Sequence, residues 1–443
     1  MTDMVDFGTV SHRYMGTGNL VIKNLSFECN YDLAQFEDGN IRLHCTVNDL
    51  ESQGYLNPGV HLTTFEGTTN SGLQLSATGD LLVIGNSLHF GNDGFQSTIR
   101  ITNLRRVQVG QCEPLLVRQL RFYLTNFLFL GTQLERDPRG GGRMSLLPLS
   151  LNGTNTLIRQ LPDYDQREEI LKARRHVLTT CQAEIEVQSD MNLERSQELV
   201  SNLCLLLTIA TGTLVSSVNL EMIAENGEVI YREHSPSVTK VYVPDRLIDI
   251  TPPDALRSFI ESAYPNIETL DQIYQLRRVV HAYADIKTSG FLETRGLTMV
   301  ALMDYLAGRF SDTYGRTTIM DHKSFRDLLP TLTDPMLEIL GTLLPISSAQ
   351  AEEMGNNLQG LNWRSFRRRL AEICSHYEVR TSSRERSRFV DTRNELVHSA
   401  RFLTTNPARE FRQMVHLTNK LLLRMFGYHG VFVNAVSFEQ ETI

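Results

Sequence analysis

The sequence has no apolar run of the roughly 18–20 residues that a membrane-spanning helix needs; the best stretch, Leu203–Ala210, is far too short. Met1–Tyr14 lacks the basic-then-apolar pattern of a secretory leader, so a soluble, cytoplasmic protein is expected. Cysteine is sparse. Cys29, Cys45, Cys112, Cys181, Cys204 and Cys374 are scattered, with no Cys-x-x-Cys pair, which argues for free thiols over a disulfide framework or a zinc site. There is no Gly-x-Ser-x-Gly elbow, no internal repeat and no low-complexity tract. The glycine-rich Asp137–Gly142 lacks the Lys-Ser/Thr ending of a phosphate loop. His281 and Asp285 share a helix face, but no third metal ligand stands near them, so neither a metal nor a cofactor is expected.

What is present is arginine. The 443 residues hold 37 Arg and 6 Lys, and the net charge is −8. Residues 361–425 alone contain 14 Lys/Arg and 6 Asp/Glu, a local +8, so the remainder carries −16. An acidic body with one basic segment points to a local anionic partner. Arginine suits bidentate phosphate contacts, although a GC-rich genome also favours it.

Hydrophobic periodicity divides the chain. Residues 1–248 read mostly as short strands: Asn19–Cys29, Ile41–Val47, Leu73–Ala77, Leu81–Gly85, Thr98–Val109, Val117–Phe129, Val215–Ile223 and Glu228–His234. Thr78-Gly79-Asp80 suggests a hairpin loop within Leu73–Gly85, and Glu225-Asn226-Gly227 a turn. Leu193–Thr208 is the one long helix in this half. After Asp249-Ile250-Thr251-Pro252-Pro253 the period becomes 3.6. Leu256–Ala263, Leu270–Ile286, Gly296–Phe310, Pro335–Leu344, Trp363–Tyr377, Ser383–Phe402 and Arg409–Phe426 read as helices. The expected fold class is α+β: a β-rich, sandwich-like domain over 1–248, then an all-α bundle over 249–443.

The most informative segment is Phe389–His398. Ser382 and Glu385 fit a capping box, which starts a helix there. At about 100° per residue, Val390, Leu396, Val397, Ala400 and Leu403 fall in one apolar arc with Arg393 in its middle. Asn394 lies at the edge and His398 about 40° beyond it. A guanidinium on an apolar face must be paired or must face an anion. One helix face would then present a fixed cation, an amide and a titratable imidazole. This set suits metal-free cleavage of RNA. The neighbouring 2′-hydroxyl is the nucleophile, His398 moves protons, and Arg393 holds the scissile phosphate. The pair alone is weak, because chance supplies about three Arg/His pairs with four to six intervening residues, and the chain has five. Only Arg393–His398 adds an Asn directly after the Arg and an apolar stripe on both sides. The structural alternative is a buried Arg paired with a carboxylate and a surface His. Arg364, Arg367 and Arg368 precede this helix, and Arg388 lies near its start. They could track an RNA backbone or form an ordinary solvated face. Trp363 could stack on a base or pack in an interface.

Asp391-Thr392-Arg393-Asn394-Glu395-Leu396-Val397-His398 resembles the Arg-Asn-x3-His signature of HEPN-domain proteins. Phe291–Leu297 leading to Ala301–Leu306 resembles the earlier helix that accompanies it, and Ser365–Leu370 the helix just before it. The β-rich half, with Phe122–Phe127 and Thr208–Thr213, is similar to bacterial ApeA-like anti-phage proteins. The resemblance implies a HEPN ribonuclease, a homodimer whose two Arg/His sets form one composite site. It also implies a role in abortive infection, with the β-rich half sensing a phage-derived trigger. Asp304 departs from the pattern, where a longer acidic side chain is expected. Two other classes compete: a non-catalytic dimerisation or binding module with a β-rich recognition domain, and a carbohydrate-processing enzyme built on the β half. The latter needs two carboxylates about 5–10 Å apart across a cleft.

Overall fold

The computed structural model describes residues 10–22, 25–47, 59–91, 94–102, 104–111, 117–136, 141–174, 177–187, 193–236, 242, 245–249, 252, 254–288, 290–343 and 347–443. The chain divides into two compact units, Met1–Pro265 with Gly430–Val433, and Asn266–His429 with Asn434–Ile443.

The first unit is β-rich. Its strands are β1 (Val10–Ile22), β2 (Leu25–Phe36), β3 (Ile41–Val47), β4 (Gly59–Thr69), β5 (Gln74–Gly91), β6 (Gly94–Thr102) and β7 (Arg106–Gly110). They continue with β8 (Val117–Thr125), β9 (Gln133–Arg136), β10 (Gly142–Leu151), β11 (Thr154–Gln160), β12 (Thr179–Glu186), β13 (Ser217–Ala224) and β14 (Val229–His234). Alternation builds them. In β3, Ile41, Leu43, Cys45 and Val47 are buried while Arg42, His44 and Thr46 lie between them half-exposed.

All fourteen belong to one hydrogen-bonded sheet, ordered β4-β1-β2-β3-β6-β5-β7-β14-β13-β8-β12-β11-β10-β9. The β4–β5 pairing closes the first six strands of that order into a ring. Leu20, Leu33, Leu43, Phe65, Ile99 and Ile101 are wholly buried in the core of these strands. The expected hairpin within Leu73–Gly85 is instead the uninterrupted β5. Thr78, Gly79 and Asp80 pair with Thr64, Thr63 and Leu62 of β4, so the neighbouring strand overrides the local turn signal. Residues 137–140 of the glycine-rich segment lie outside the described residues. The turn at 225–227 is present, with Gly227 at φ +85°.

Helix α1 (Tyr164–Arg174) packs on β12, and α2 (Leu193–Thr211) on β8 and β13. Helix α3 (Asp254–Ala263) packs on α2 and β10. The division therefore falls after Pro265, not at 248/249, because the first helix beyond the prolines stays with the sheet.

The second unit is helical: α4 (Ile267–Tyr274), α5 (Leu276–Thr288), α6 (Leu292–Thr313), α7 (His322–Leu343), α8 (Ser348–Leu358), α9 (Phe366–His376), α10 (Ser383–Ser399) and α11 (Pro407–Met425). Helix α6 is central and touches α4, α5, α9, α10 and α11. The single helix expected over Leu270–Ile286 is two. Gln275 turns left-handed at φ +52°, and Asp271 Oδ1 accepts from the Leu276 N–H (2.7 Å) to restart the chain. Helix α7 begins well before Pro335 and carries both Pro330 and Pro335 inside it. Among the described residues, no helix is long and apolar enough to cross a membrane. The described cysteines, Cys29, Cys45, Cys181, Cys204 and Cys374, are buried free thiols.

Candidate active site

Helix α10 starts where its capping residues dictate. Ser382 Oγ accepts from the Glu385 N–H (3.1 Å), and Glu385 Oε2 accepts from the Ser382 N–H (2.6 Å). Burial opposes ionisation of Glu385, but these Ser382 bonds win and hold its carboxyl below the usual range. Phe389, Val390 and Leu396 face inward, where α10 packs on α6, α9 and α11. The helix ends at Ser399 because Ala400 turns left-handed at φ +53°. The expected apolar arc is therefore shorter than the sequence suggested. Val390 and Leu396 are buried, but Val397 is exposed, and Ala400 and Leu403 lie beyond the helix.

Arg393 is half-buried. Its Nη2 and Nε donate to Asp304 Oδ2 at 3.0 and 3.3 Å, and its Nη1 donates to Asn394 Oδ1 at 3.1 Å. The guanidinium carbon lies 5.4 Å from the centre of the Phe366 ring. These bonds use three of the five N–H groups, which leaves two for a ligand. The Asp304 side chain, on α6, is 29% exposed, and its second oxygen lies 3.9 Å from Arg369 Nη2. One acid thus orients the cation from a helix 89 residues away.

Asn394 and His398 are exposed. They sit one turn apart and about 40° apart around the axis. His398 has no hydrogen-bond or ion-pair partner among the described residues and is open to solvent. Arg393 and His398 differ by about 140° around the axis and about 7.5 Å along it. The Arg393 side chain bends toward Asn394 and so narrows that gap.

The four basic residues separate. Arg367 is exposed and bonds Asp391 Oδ1 (3.2 Å) and Ser387 Oγ (3.2 Å). Ser387, Asp391, Asn394 and His398 share one face of α10, so Arg367 extends that stripe. Arg368 is exposed beside Glu372 (2.7 Å). Arg364 is mostly covered, bonded to Glu372 Oε1 (2.6 Å) and to the Thr318 carbonyl (2.9 Å). It acts as a clamp between segments. Arg388 is held by Glu410, whose carboxylate raises the guanidinium pKa. Arg388 lies roughly a quarter-turn from that stripe of α10, beside a cavity of about 290 Å³ that Phe389 and Thr392 also line. Trp363 is exposed, edge-on to His322.

Asp304 as the partner of Arg393, and Phe366 beneath it, were not identified from sequence. The available signal was an acid within the apolar run Leu302–Leu306, matching an arginine on another apolar face. Chemically, the face offers a cation with spare donors, an amide and a solvent-open imidazole. No protein-family model, curated protein or solved structure matches the chain.

Proposed function

We propose that the helical unit is a metal-independent endoribonuclease of HEPN type, acting as a homodimer in anti-phage defence. Supporting this reading is helix α10, on which Arg393, fixed by Asp304 and bonded to Asn394, stands five residues from a solvent-open His398. His398 takes the 2′-hydroxyl proton or delivers one to the 5′-oxygen that leaves. Arg393 holds the scissile phosphate and offsets the charge that grows on it, and Asn394 keeps the guanidinium in place. The 140° between Arg393 and His398 favours a composite site, in which Arg393 of one copy holds the phosphate while His398 of a second copy moves the proton of the attacking 2′-hydroxyl or of the leaving 5′-oxygen. Arg367, on the same stripe, extends the contact to flanking phosphates. The link to abortive infection and to a phage-derived trigger sensed by the β-rich unit rests on the resemblance to ApeA-like proteins.

One observation favours a second reading, a non-catalytic binding module: Arg393 has a carboxylate partner, as a structural arginine does. Total RNA incubated with the protein in EDTA separates the two. The nuclease reading expects fragments ending in 2′,3′-cyclic phosphate, lost in His398→Ala and in Arg393→Ala while the fold persists. Intact RNA, or 3′-hydroxyl ends, would overturn it.

A further inference from the structure

Helix α7 presents an apolar stripe to solvent. Phe325, Leu328, Leu329, Leu332, Met336 and Ile339 fall within an arc of about 100° around its axis. Leu328 is 39% exposed, Leu332 43% and Ile339 58%, and Phe325, Leu329 and Met336 are half-buried. Among the described residues of this 22-residue helix none is buried. By contrast, α5, α6 and α11 each turn an apolar side to the core, as a surface helix ordinarily does.

The helix is also poorly equipped to stand alone. Pro330 and Pro335 each remove a backbone hydrogen bond from its interior. A helix so interrupted is marginal in water and depends on packing of its apolar side. Within the unit α7 packs on α8, yet the stripe stays open. Its side chains leave on the order of 400 Å² of apolar surface uncovered, as large as the patches that mark interaction sites. Flanking polar side chains bring a helix-on-helix contact of this length, about 33 Å, toward the roughly 800 Å² per partner of a standard interface.

The spacing selects the occupant. From Phe325 the stripe advances by 3, 4, 4 and 3 residues, through Leu328, Leu332 and Met336 to Ile339. Steps of three and four keep a seam facing a partner helix. This order also reads the same from either end. A second copy running antiparallel, with a twofold axis at Leu332, sets Phe325 against Ile339, Leu328 against Met336 and Leu332 against itself, an isologous contact. Charge agrees. The first half of α7 carries Lys323 and Arg326 with one acid, Asp327, and the charges of the second half are Asp334 and Glu338. An antiparallel pair lays each cationic half along an acidic one, whereas a parallel pair would oppose like charges. Lipid fits less well, because an interfacial helix needs a basic flank and α7 has more acids than bases.

We propose that α7 is the surface on which a second copy of the chain docks, helix against antiparallel helix about a twofold axis at Leu332. The proposal extends the homodimer of the nuclease reading and needs none of its chemistry.

Sedimentation velocity of the full chain, together with single-cysteine cross-linking, tests this. The unmodified protein is expected to be dimeric at micromolar concentration. Leu332→Glu sets two like charges at the axis and should raise the dimer dissociation constant about 100-fold. Leu332→Cys should give a disulfide-linked dimer on mild oxidation, because its two thiols meet. Phe325→Cys should not, because its two copies lie about 21 Å apart. The cysteine variants introduce no charge and decide the matter if the glutamate variant folds poorly. The described native cysteines are buried and add little background. A monomeric unmodified protein, a dimer unaffected by Leu332→Glu, or cross-linking of Phe325→Cys in place of Leu332→Cys would each overturn the proposal. Binding of the unmodified chain to phosphatidylcholine vesicles that is lost in Leu332→Glu would assign the stripe to lipid and overturn it too. Neither readout involves RNA, so failure here and failure of the nuclease reading are told apart.

Discussion

The Arg393–Asp304 pair can be dissected so that structural and catalytic roles give opposite results. Two hydrogen bonds of 3.0 and 3.3 Å reach one carboxylate oxygen, and each side chain is about a quarter exposed. Coulomb attraction at this separation is about 5 kcal/mol at an effective dielectric near 20. Desolvation and side-chain ordering offset most of it, which leaves about 1–2 kcal/mol net. Arg393→Ala and Asp304→Ala should each lower unfolding free energy by about that amount, a fall in melting temperature of about 2–8 °C. The double variant should lose no more than either single one, because no half-buried charge is left alone. Cleavage should behave differently. Loss of a phosphate-holding cation costs about 10²–10³ in rate, whereas loss of its orienting acid costs about tenfold. The double variant should therefore remain as inactive as Arg393→Ala while being no less stable than it. Urea melts followed by circular dichroism, alongside cleavage of a fluorogenic RNA in EDTA, measure both. Recovery of cleavage together with stability in the double variant would refute the reasoning, as would full activity of Arg393→Ala.

Other expectations follow from the packing. His234 is wholly buried, donating from Nδ1 to Gln35 and accepting from the Tyr14 hydroxyl (2.9 Å), and burial holds its pKa well below the ordinary value. Burial lowers His12 as well. Unfolding restores the ordinary pKa near 6.5, so the unfolded chain binds protons first as pH falls. Stability of the β-rich unit should be full above about pH 6.5 and should decline below it, by up to about 1.4 kcal/mol per pH unit per histidine. Urea midpoints at pH 7.5 and 5.5 check this, and equal midpoints contradict it. Gly296→Ala places a Cβ 2.8 Å from Phe402 Cζ and 3.0 Å from Leu396 Cδ1. It should cost about 1–3 kcal/mol and weaken cleavage by shifting the end of α10, as thermal melts and the RNA assay would show. Ala400→Gly relieves a left-handed residue at φ +53° and should add about 0.5–1 kcal/mol with cleavage unchanged; a lower melting temperature argues against this account.

What the sequence revealed was local. The start of α10 was legible because Ser382 and Glu385 bond each other across one turn. That Arg393 needed a partner was legible from its place among apolar residues, but which acid answers it depends on how α6 packs. The features that escaped detection depend on distant chain. Gly79 looks like a turn residue until β4 supplies the partner Thr63. Helix α1 is mostly polar, with Tyr164 and Leu171 as its wholly covered apolar anchors, so it shows little periodicity. The stripe of α7 escaped for a nearer reason: Pro335 reads as a helix start, so Phe325, Leu328 and Leu332 fell outside the expected helix.

The path of the chain carries one more consequence. Gly430–Val433 belongs to the β-rich unit although the whole stretch 266–429 intervenes. It brings the wholly buried Phe432, and the Val433 N–H donates to the Leu247 carbonyl (2.8 Å). During vectorial synthesis this piece of the β-rich unit emerges after all fourteen strands of the sheet and after residues 266–429. A fragment cut at 265 would lack its finishing piece, so its melting behaviour would understate what the same strands achieve in the uncut polypeptide.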